Sequence, residues 1–166
     1  MITLNDFKAF CIRHGLTIST AESVTAGQLQ LSFSIMEGAV QFFQGGITAY
    51  NIGQKVKHLQ VEPIHAAACN CVSDQVAREM ALHVCDVFNS SVGIAITGYA
   101  AKVPELDIHE LFAYYAIACR RQIIISERIT PGVQYPVAAV MKSYADIVIA
   151  TCLPALERHL STTVQE

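Results

Sequence analysis

Charge is scarce in this chain: of 166 residues only 15% are Asp, Glu, Lys or Arg, and neither sign gathers into a block of about five or more. Eleven Lys and Arg against fourteen Asp and Glu leave a formal charge of -3. That balance excludes a basic stripe for nucleic acid and a polybasic membrane patch, so neither is expected as a partner. The longest apolar runs, Leu111 to Cys119 and Ile147 to Ala150 with its neighbours, fall short of the roughly 20 residues that span a bilayer. The start, Met1-Ile2-Thr3-Leu4-Asn5-Asp6-Phe7-Lys8, lacks the basic leader and apolar stretch of a secretory signal, which leads to the expectation of a cytoplasmic protein. Repeats and low-complexity linkers are missing too.

Metal-ligand spacing is also missing. The histidines at 14, 58, 65, 83, 109 and 159 form no pair four apart, and Cys69 and Cys71 are separated by one residue where zinc sites use two to four. No metal or cofactor is expected. The six cysteines, 11, 69, 71, 85, 119 and 152, lie mostly among apolar neighbours, and a domain of this size holds together without disulfides, so they read as reduced, buried thiols.

What the sequence does hold is apolar material, 52% of the residues, enough for one domain over 1–166 with a polar tail from about residue 161. Leu4, Phe7, Phe10, Cys11 and His14 recur at helical spacing behind an Asn5 or Asp6 cap, and Gly15 is placed to end the helix. Leu16 to Thr20 alternates as a strand, and Thr25, Leu29, Phe33 and Met36 share a helical face, which makes Ser23 the turn between them. Gly45 to Tyr50 reads as a second strand introduced by two glycines. Short helices follow from Asn51 to Val61, then a longer one capped by Ser73 and ended by Asn89-Ser90-Ser91. The unbroken apolar run Val92 to Ile96 suits a strand covered on both faces. Leu111–Cys119 and Gln122–Ile129, joined by Arg120-Arg121, predict an antiparallel hairpin, and Val137 to Thr151 a terminal helix that Pro154 kinks or ends. This order predicts an α/β fold, a three-layer α/β/α sandwich about a mixed sheet.

Ser23 stands where a strand gives way to a helix, a position at which a hydroxyl faces a cleft and backbone N–H groups steady an anion; it also suits a plain capping serine. A serine nucleophile needs a base. Tyr50 ends the second strand and Lys55 and Lys57 follow it; strand ends on one edge of an α/β sheet converge on one crevice, which places Tyr50 and a lysine just beyond it to face Ser23, although by composition alone Lys55 and Lys57 read first as solvated surface charges. Cys69 and Cys71 read first as packing residues, with redox chemistry, which requires a lowered thiol pKa, as the alternative.

Taken together, Thr20-Ala21-Glu22-Ser23-Val24-Thr25-Ala26-Gly27, Gly45-Gly46-Ile47-Thr48-Ala49-Tyr50-Asn51, Cys71-Val72-Ser73 and Ile96-Thr97-Gly98-Tyr99-Ala100 resemble, in order, the signature of the CinA C-terminal domain family, which includes nicotinamide-nucleotide amidohydrolases. The likeness runs from about Leu4 to about Leu156. It implies an enzyme that hydrolyses nicotinamide mononucleotide to nicotinic acid mononucleotide and ammonia without a metal, with Ser23 as nucleophile, Tyr50 and Lys55 as its support, and Glu22, Thr25, Gly27, Thr97 and Gly98 as substrate contacts. Backbone N–H groups at the helix start near Thr25 would hold the oxyanion.

The chain departs from the family pattern in the other half of the pocket. Ala100-Ala101-Lys102-Val103-Pro104-Glu105 stands where the family has a glycine- and proline-rich loop, Glu110-Leu111-Phe112-Ala113 replaces a V-G-T-V strand start, and Gly132-Val133-Gln134 lacks the arginine of a G-D-R motif. Two readings follow: an amidohydrolase of altered substrate, and a non-catalytic binding or assembly module that keeps the fold. A role in nucleic-acid handling, suggested by the competence-related family name, ranks behind both. The apolar composition adds the expectation of a homo-oligomer, some of whose surface a partner subunit covers.

Overall fold

A computed structural model describes residues 3–163 of the chain. Helix α1 (Leu4–Arg13) is capped by Thr3, whose hydroxyl accepts from the Asp6 N–H while the Asp6 carboxylate accepts from the Thr3 N–H. This reciprocal box places the cap two residues ahead of the expected Asn5 and makes Asp6 its third residue. Strand β1 (Ile18–Glu22) starts two residues later than expected, with Leu16 and Thr17 as its lead-in and the Leu16 N–H donating back to the Cys11 carbonyl at 2.8 Å. Helix α2 (Gln28–Ser34) is short, and Met36 lies beyond it.

Strand β2 (Phe43–Thr48) contains Gly45 and Gly46 instead of starting after them. Gly45 has φ +137 and sits where the pairing shifts register, with Phe43 opposite Ile18 and Gly45 opposite Ser19. A Cβ on Gly46 would lie 2.2 Å from Thr20 Oγ1. The glycines therefore serve a bulge and a close strand contact, not the bend expected of them. Helices α3 (Ile52–Leu59), α4 (Pro63–Ala68) and α5 (Asp74–Phe88) follow. Ser73 caps α5 as expected, accepting from the Val76 N–H, and Asn89 closes it in the left-handed conformation.

Strand β3 (Val92–Gly98) pairs antiparallel with β4 (Ala113–Cys119), and β4 pairs with β5 (Gln122–Ile129). Arg120 and Arg121, both at positive φ, make the two-residue turn between β4 and β5, the backbone form that matches strand twist. Helix α6 (Val137–Thr163) continues through Pro154, so proline does not end it. Residues 164–166 of the expected polar tail lie outside the described residues.

The sheet order is β2-β1-β3-β4-β5, with β2, β1 and β3 parallel and the hairpin antiparallel. This is the expected mixed sheet covered by helices on both faces. One face carries large residues, Ile18, Val92, Ile94, Ile96, Tyr115 and Ile117, packed against Phe7, Phe33, Tyr144 and Val148 of α1, α2 and α6. The other carries Ala21, Ala95, Ala116 and Ala118 under Val76, Met80 and Val84 of α5. Small side chains let α5 lie close to the sheet. At Gly93 a Cβ would stand 2.0 Å from the Ala81 carbonyl oxygen. Helix α6 is long and apolar enough over Val137–Thr162 to cross a membrane by length and composition. In this fold its apolar stripe, Val140, Tyr144, Val148, Cys152 and Leu156, is buried on the sheet.

Gly93→Ala is expected to cost about 3 kcal/mol or more in denaturant unfolding, because the backbone of α5 must retreat. Gly53→Ala, whose new methyl meets only Asn51 Oδ1 at 3.5 Å, is expected to be neutral or to stabilise by up to about 1 kcal/mol through helix propensity. Equal losses in the two variants would show that the α5 contact is not tight.

Candidate active site

The parallel strands end along one edge of the sheet, and the chain leaving each of them delivers a polar residue to the same place. Ser23 follows β1, and its backbone N–H donates to the Ile96 carbonyl at 3.1 Å, which ties it to β3. Ala49 N–H donates to the Glu22 carbonyl at 2.9 Å and holds the end of β2 alongside. Asn51 then caps α3, accepting from the Gln54 N–H, and one turn later α3 presents Lys55.

Lys55 Nζ lies 2.9 Å from Ser23 Oγ and donates also to the Tyr50 carbonyl at 3.2 Å. The lysine is only 1% exposed and Ser23 6%. Lys55 is thus buried, and its charged form has two neutral oxygen partners and no carboxylate among the hydrogen bonds it makes. Desolvation lowers its pKa from 10.5, opposed in small part by the neighbouring Cys71 thiol. A buried amine with a depressed pKa beside a serine hydroxyl is the arrangement in which a lysine takes a proton from a nucleophile.

Ser23 and Lys55 open onto a cavity of about 490 Å³ lined also by Tyr50, Asn51, Ile52, Ala66, Ala67, Asn70, Cys71, Val72 and Thr97. Tyr50 contributes its carbonyl to Lys55, while its ring stands 73% exposed at the rim. Thr97 reaches the cavity but donates its hydroxyl to the Cys71 carbonyl at 2.7 Å, which pins the turn between α4 and α5 to the end of β3. Asn70 and Cys71 both adopt positive φ in that turn. Their contribution was hidden in the sequence, where only the asparagine hints at a left-handed conformation.

Glu22, Thr25 and Gly27, expected to touch substrate, are engaged elsewhere. The buried Glu22 carboxylate accepts from Thr25 Oγ1 at 2.6 Å, from the N–H groups of Gly27 and Leu29 at 3.0 Å, and from the Gln30 N–H at 2.8 Å. It occupies the N-terminus of α2. The helix-start donors foreseen for an oxyanion are therefore already used, and in the turn after Ser23 the N–H groups of Val24 and Thr25 donate neither to Glu22 nor to a backbone carbonyl among the described residues. Gly98, another expected contact, lies outside the cavity lining and is held against β4, where a Cβ would lie 2.4 Å from Ala113 Cβ. Among the described residues no group of three or more His, Cys, Asp or Glu is arranged to hold a metal ion. All six cysteines are free, five of them buried and Cys69 partly so.

Residues 4–132 match the family model described as CinA C-terminal domain. The chain belongs to this family. Among curated relatives it is 42% identical over 87 residues to Protein MG115 of Mycoplasma genitalium, covering 52% of this chain and 55% of that protein. It is 45% identical over 92 residues to a CinA-like protein of Prochlorococcus marinus, covering 53% of this chain and 21% of that one. The chain thus spans about half or less of the curated relatives it matches. The crystal structure of a competence-damaged protein (CinA) superfamily protein from Enterobacter cloacae superposes with a TM-score of 0.85 at 25% identity, covering 94% of both chains. The three-layer CinA fold extends through α6, past the point at which the family's sequence pattern ends.

Two stability tests follow from this geometry. Glu22→Ala leaves three backbone N–H groups of the α2 start without their acceptor and is expected to cost about 3 kcal/mol or more in unfolding free energy; a loss under about 1 kcal/mol would sink the clamp. For Lys55 the desolvation penalty is fully present below its depressed pKa and fades as pH rises toward 10.5, the value in the unfolded chain. Between those limits the unfolded state binds more protons, so wild type gains stability with pH relative to Lys55→Met. Denaturant titrations of both proteins near pH 7 and pH 10 measure the difference.

Proposed function

We propose that this CinA-family domain is a metal-independent amidohydrolase that cleaves the C–N bond of a carboxamide with Ser23 as nucleophile and Lys55 as general base. The observation that supports it is the 2.9 Å contact between Ser23 Oγ and a lysine Nζ that is 1% exposed. The resemblance in motif order to nicotinamide-nucleotide amidohydrolases points to the same bond type, the ring carboxamide of a nicotinamide derivative.

Neutral Lys55 accepts the Ser23 hydroxyl proton as Oγ attacks the carbonyl carbon. The tetrahedral oxyanion is assigned to the N–H groups of the turn after Ser23, those of Val24 and Thr25, which adjoin the serine in sequence although neither residue lines the cavity. Lys55 ammonium returns the proton to the amide nitrogen, the C–N bond breaks, and ammonia leaves an acyl-serine. Water then attacks that ester with Lys55 again taking the proton; the C–Oγ bond breaks, Lys55 ammonium returns the proton to Ser23 Oγ, and the carboxylic acid departs. Tyr50 acts through its carbonyl, which orients Nζ, and through its ring at the rim.

Homo-oligomer formation belongs to the same proposal. Leu31, Ile35 and Val40 are 54%, 72% and 87% exposed on or beside α2, an apolar surface that a second copy would cover.

Ammonia release is the direct test, with nicotinamide mononucleotide, nicotinamide riboside and simple carboxamides as substrates. Ser23→Ala and Lys55→Arg are each expected to lower kcat about a thousandfold or more, the arginine because a guanidinium stays protonated. The wild-type rate is expected to rise with pH as Lys55 loses its proton and to reach half its maximum below 10.5. Release that survives in Ser23→Ala, or no release from any carboxamide, would favour the non-catalytic module.

A further inference from the structure

We infer that a second copy of this chain packs on the outer side of α6, antiparallel about a two-fold axis, with Lys142 of each copy set against the partner's Asp146. This deepens the oligomer reading above by naming its surface and register, and it is independent of the Ser23–Lys55 chemistry. Helix α6 has more apolar surface than the sheet uses: of its most apolar stretch only 33% is buried inside the molecule. Its outward side carries Ala138, Lys142, Asp146 and Ala150, four exposed residues at steps of four that form one row along the helix.

A hollow lies on each side of this row. The one toward α2, about 450 Å³, is bounded by Phe7, Leu31, Ile35, Ala145, Ile149 and Leu153. The one toward the connection from β5, about 530 Å³, is bounded by Val133, Ala139, Ser143 and Ile147. Lys142, Asp146 and Ala150 border both and stand as a ridge between them. A ridge of this kind packs into the groove beside the same ridge of a second helix, the two axes crossing at about -50°. The groove on the α2 side is the one used, because Leu31 and Ile35 are exposed at its edge. A two-fold axis brings the α2 sides of both copies together, so these side chains are covered by their own counterparts.

The row is complementary to itself. Turned end for end it reads Ala150, Asp146, Lys142, Ala138, so a two-fold centred between 142 and 146 sets alanine beside alanine at the ends and ammonium beside carboxylate twice at the middle. Within one copy Lys142 Nζ donates to the two Asp146 oxygens at 2.8 and 2.6 Å, with the side chains 65% and 57% exposed. Lysine ahead of the acid is the weaker order for support within a single helix. The carboxylate keeps lone pairs for a second ammonium, and the ammonium keeps a third N–H for a second carboxylate. A row with no net charge suits a copy of itself better than an anionic lipid surface.

Sedimentation equilibrium on the full chain tests the register, with circular dichroism melts to follow folding. Wild type is expected to be a dimer, or an even multiple of one, at micromolar concentration. Lys142→Glu makes the middle of the row wholly acidic and Asp146→Lys makes it wholly basic. Each is expected to weaken self-association by about a hundredfold or more, since like charges then meet twice. An equimolar mixture of the two variants is expected to form a heterodimer, and the chain carrying both changes to recover the homodimer; either rescue excludes a folding defect. Dissociation of the single variants without rescue would overturn the antiparallel register. Assembly that ignores all of these changes would overturn this surface while leaving the oligomer reading standing. Wild type that is monomeric at about 100 µM would overturn both, and monomer that sediments with phosphatidylglycerol vesicles would give the face to lipid.

Discussion

A buried carboxylate organises this protein. Glu22 ends the central parallel strand with its charge inside the molecule, a placement that is tenable only if the oxygens find donors. They find four, one hydroxyl and three backbone N–H groups, all from the next eight residues. The chain after β1 must therefore curl back over Glu22 before it becomes α2, and the residue at the crest of that curl is Ser23. With the serine tied to β3 through the Ile96 carbonyl, its hydroxyl is aimed across the sheet edge at α3, where the cap at Asn51 sets the rotation that brings Lys55 inward.

The two sides of the sheet play different parts in this. The large-residue face supplies most of the bulk of the core through phenylalanines of α1 and α2 and the apolar stripe of α6. The alanine and glycine face brings α5 in tight, and α5 in turn fixes the preceding turn that carries Asn70 and Cys71 to the cavity. Lys55 is buried under this second layer, so tight packing there is part of what strips water from its amine and depresses its pKa.

Much of this was legible in the sequence because periodicity and punctuation report local structure directly. The alternating runs on either side of Arg120-Arg121, the cap at Ser73 and the continuous apolar run of β3 each have a local physical cause, and so does the convergence of Ser23 and Lys55 at adjacent strand ends. What escaped was set by tertiary contacts. Asp6 looks like a cap until Thr3 is seen to hold it in a box. Gly45 and Gly46 look like a bend until the register of β2 against β1 is known. Glu22, Thr25 and Gly27 read as ligand contacts because they flank the serine, yet their polar groups face one another around the start of α2. Cys71 stands in the sequence only as part of the Cys71-Val72-Ser73 motif, and no local signal marks it or Asn70 as a cavity residue, since Thr97 lies 26 positions from the carbonyl that it grips, with α5 and most of β3 between them.

The order of the strands has a consequence for how such a domain diversifies. Every residue lining the cavity lies between 23 and 97, within the parallel half of the sheet and the helices that connect it. The antiparallel hairpin is added at the far side of β3, and just before it the Phe112 ring backs Tyr99 at 5.4 Å between centroids. Bond-breaking machinery and the cavity lining are thus encoded in one stretch of chain. The stretch after residue 97 reaches the cavity at second hand, through contacts such as the hydrogen bond from Asn70 Nδ2 to the Tyr99 hydroxyl at 3.1 Å, so substitutions there act on the site by moving its turn and not by lining it.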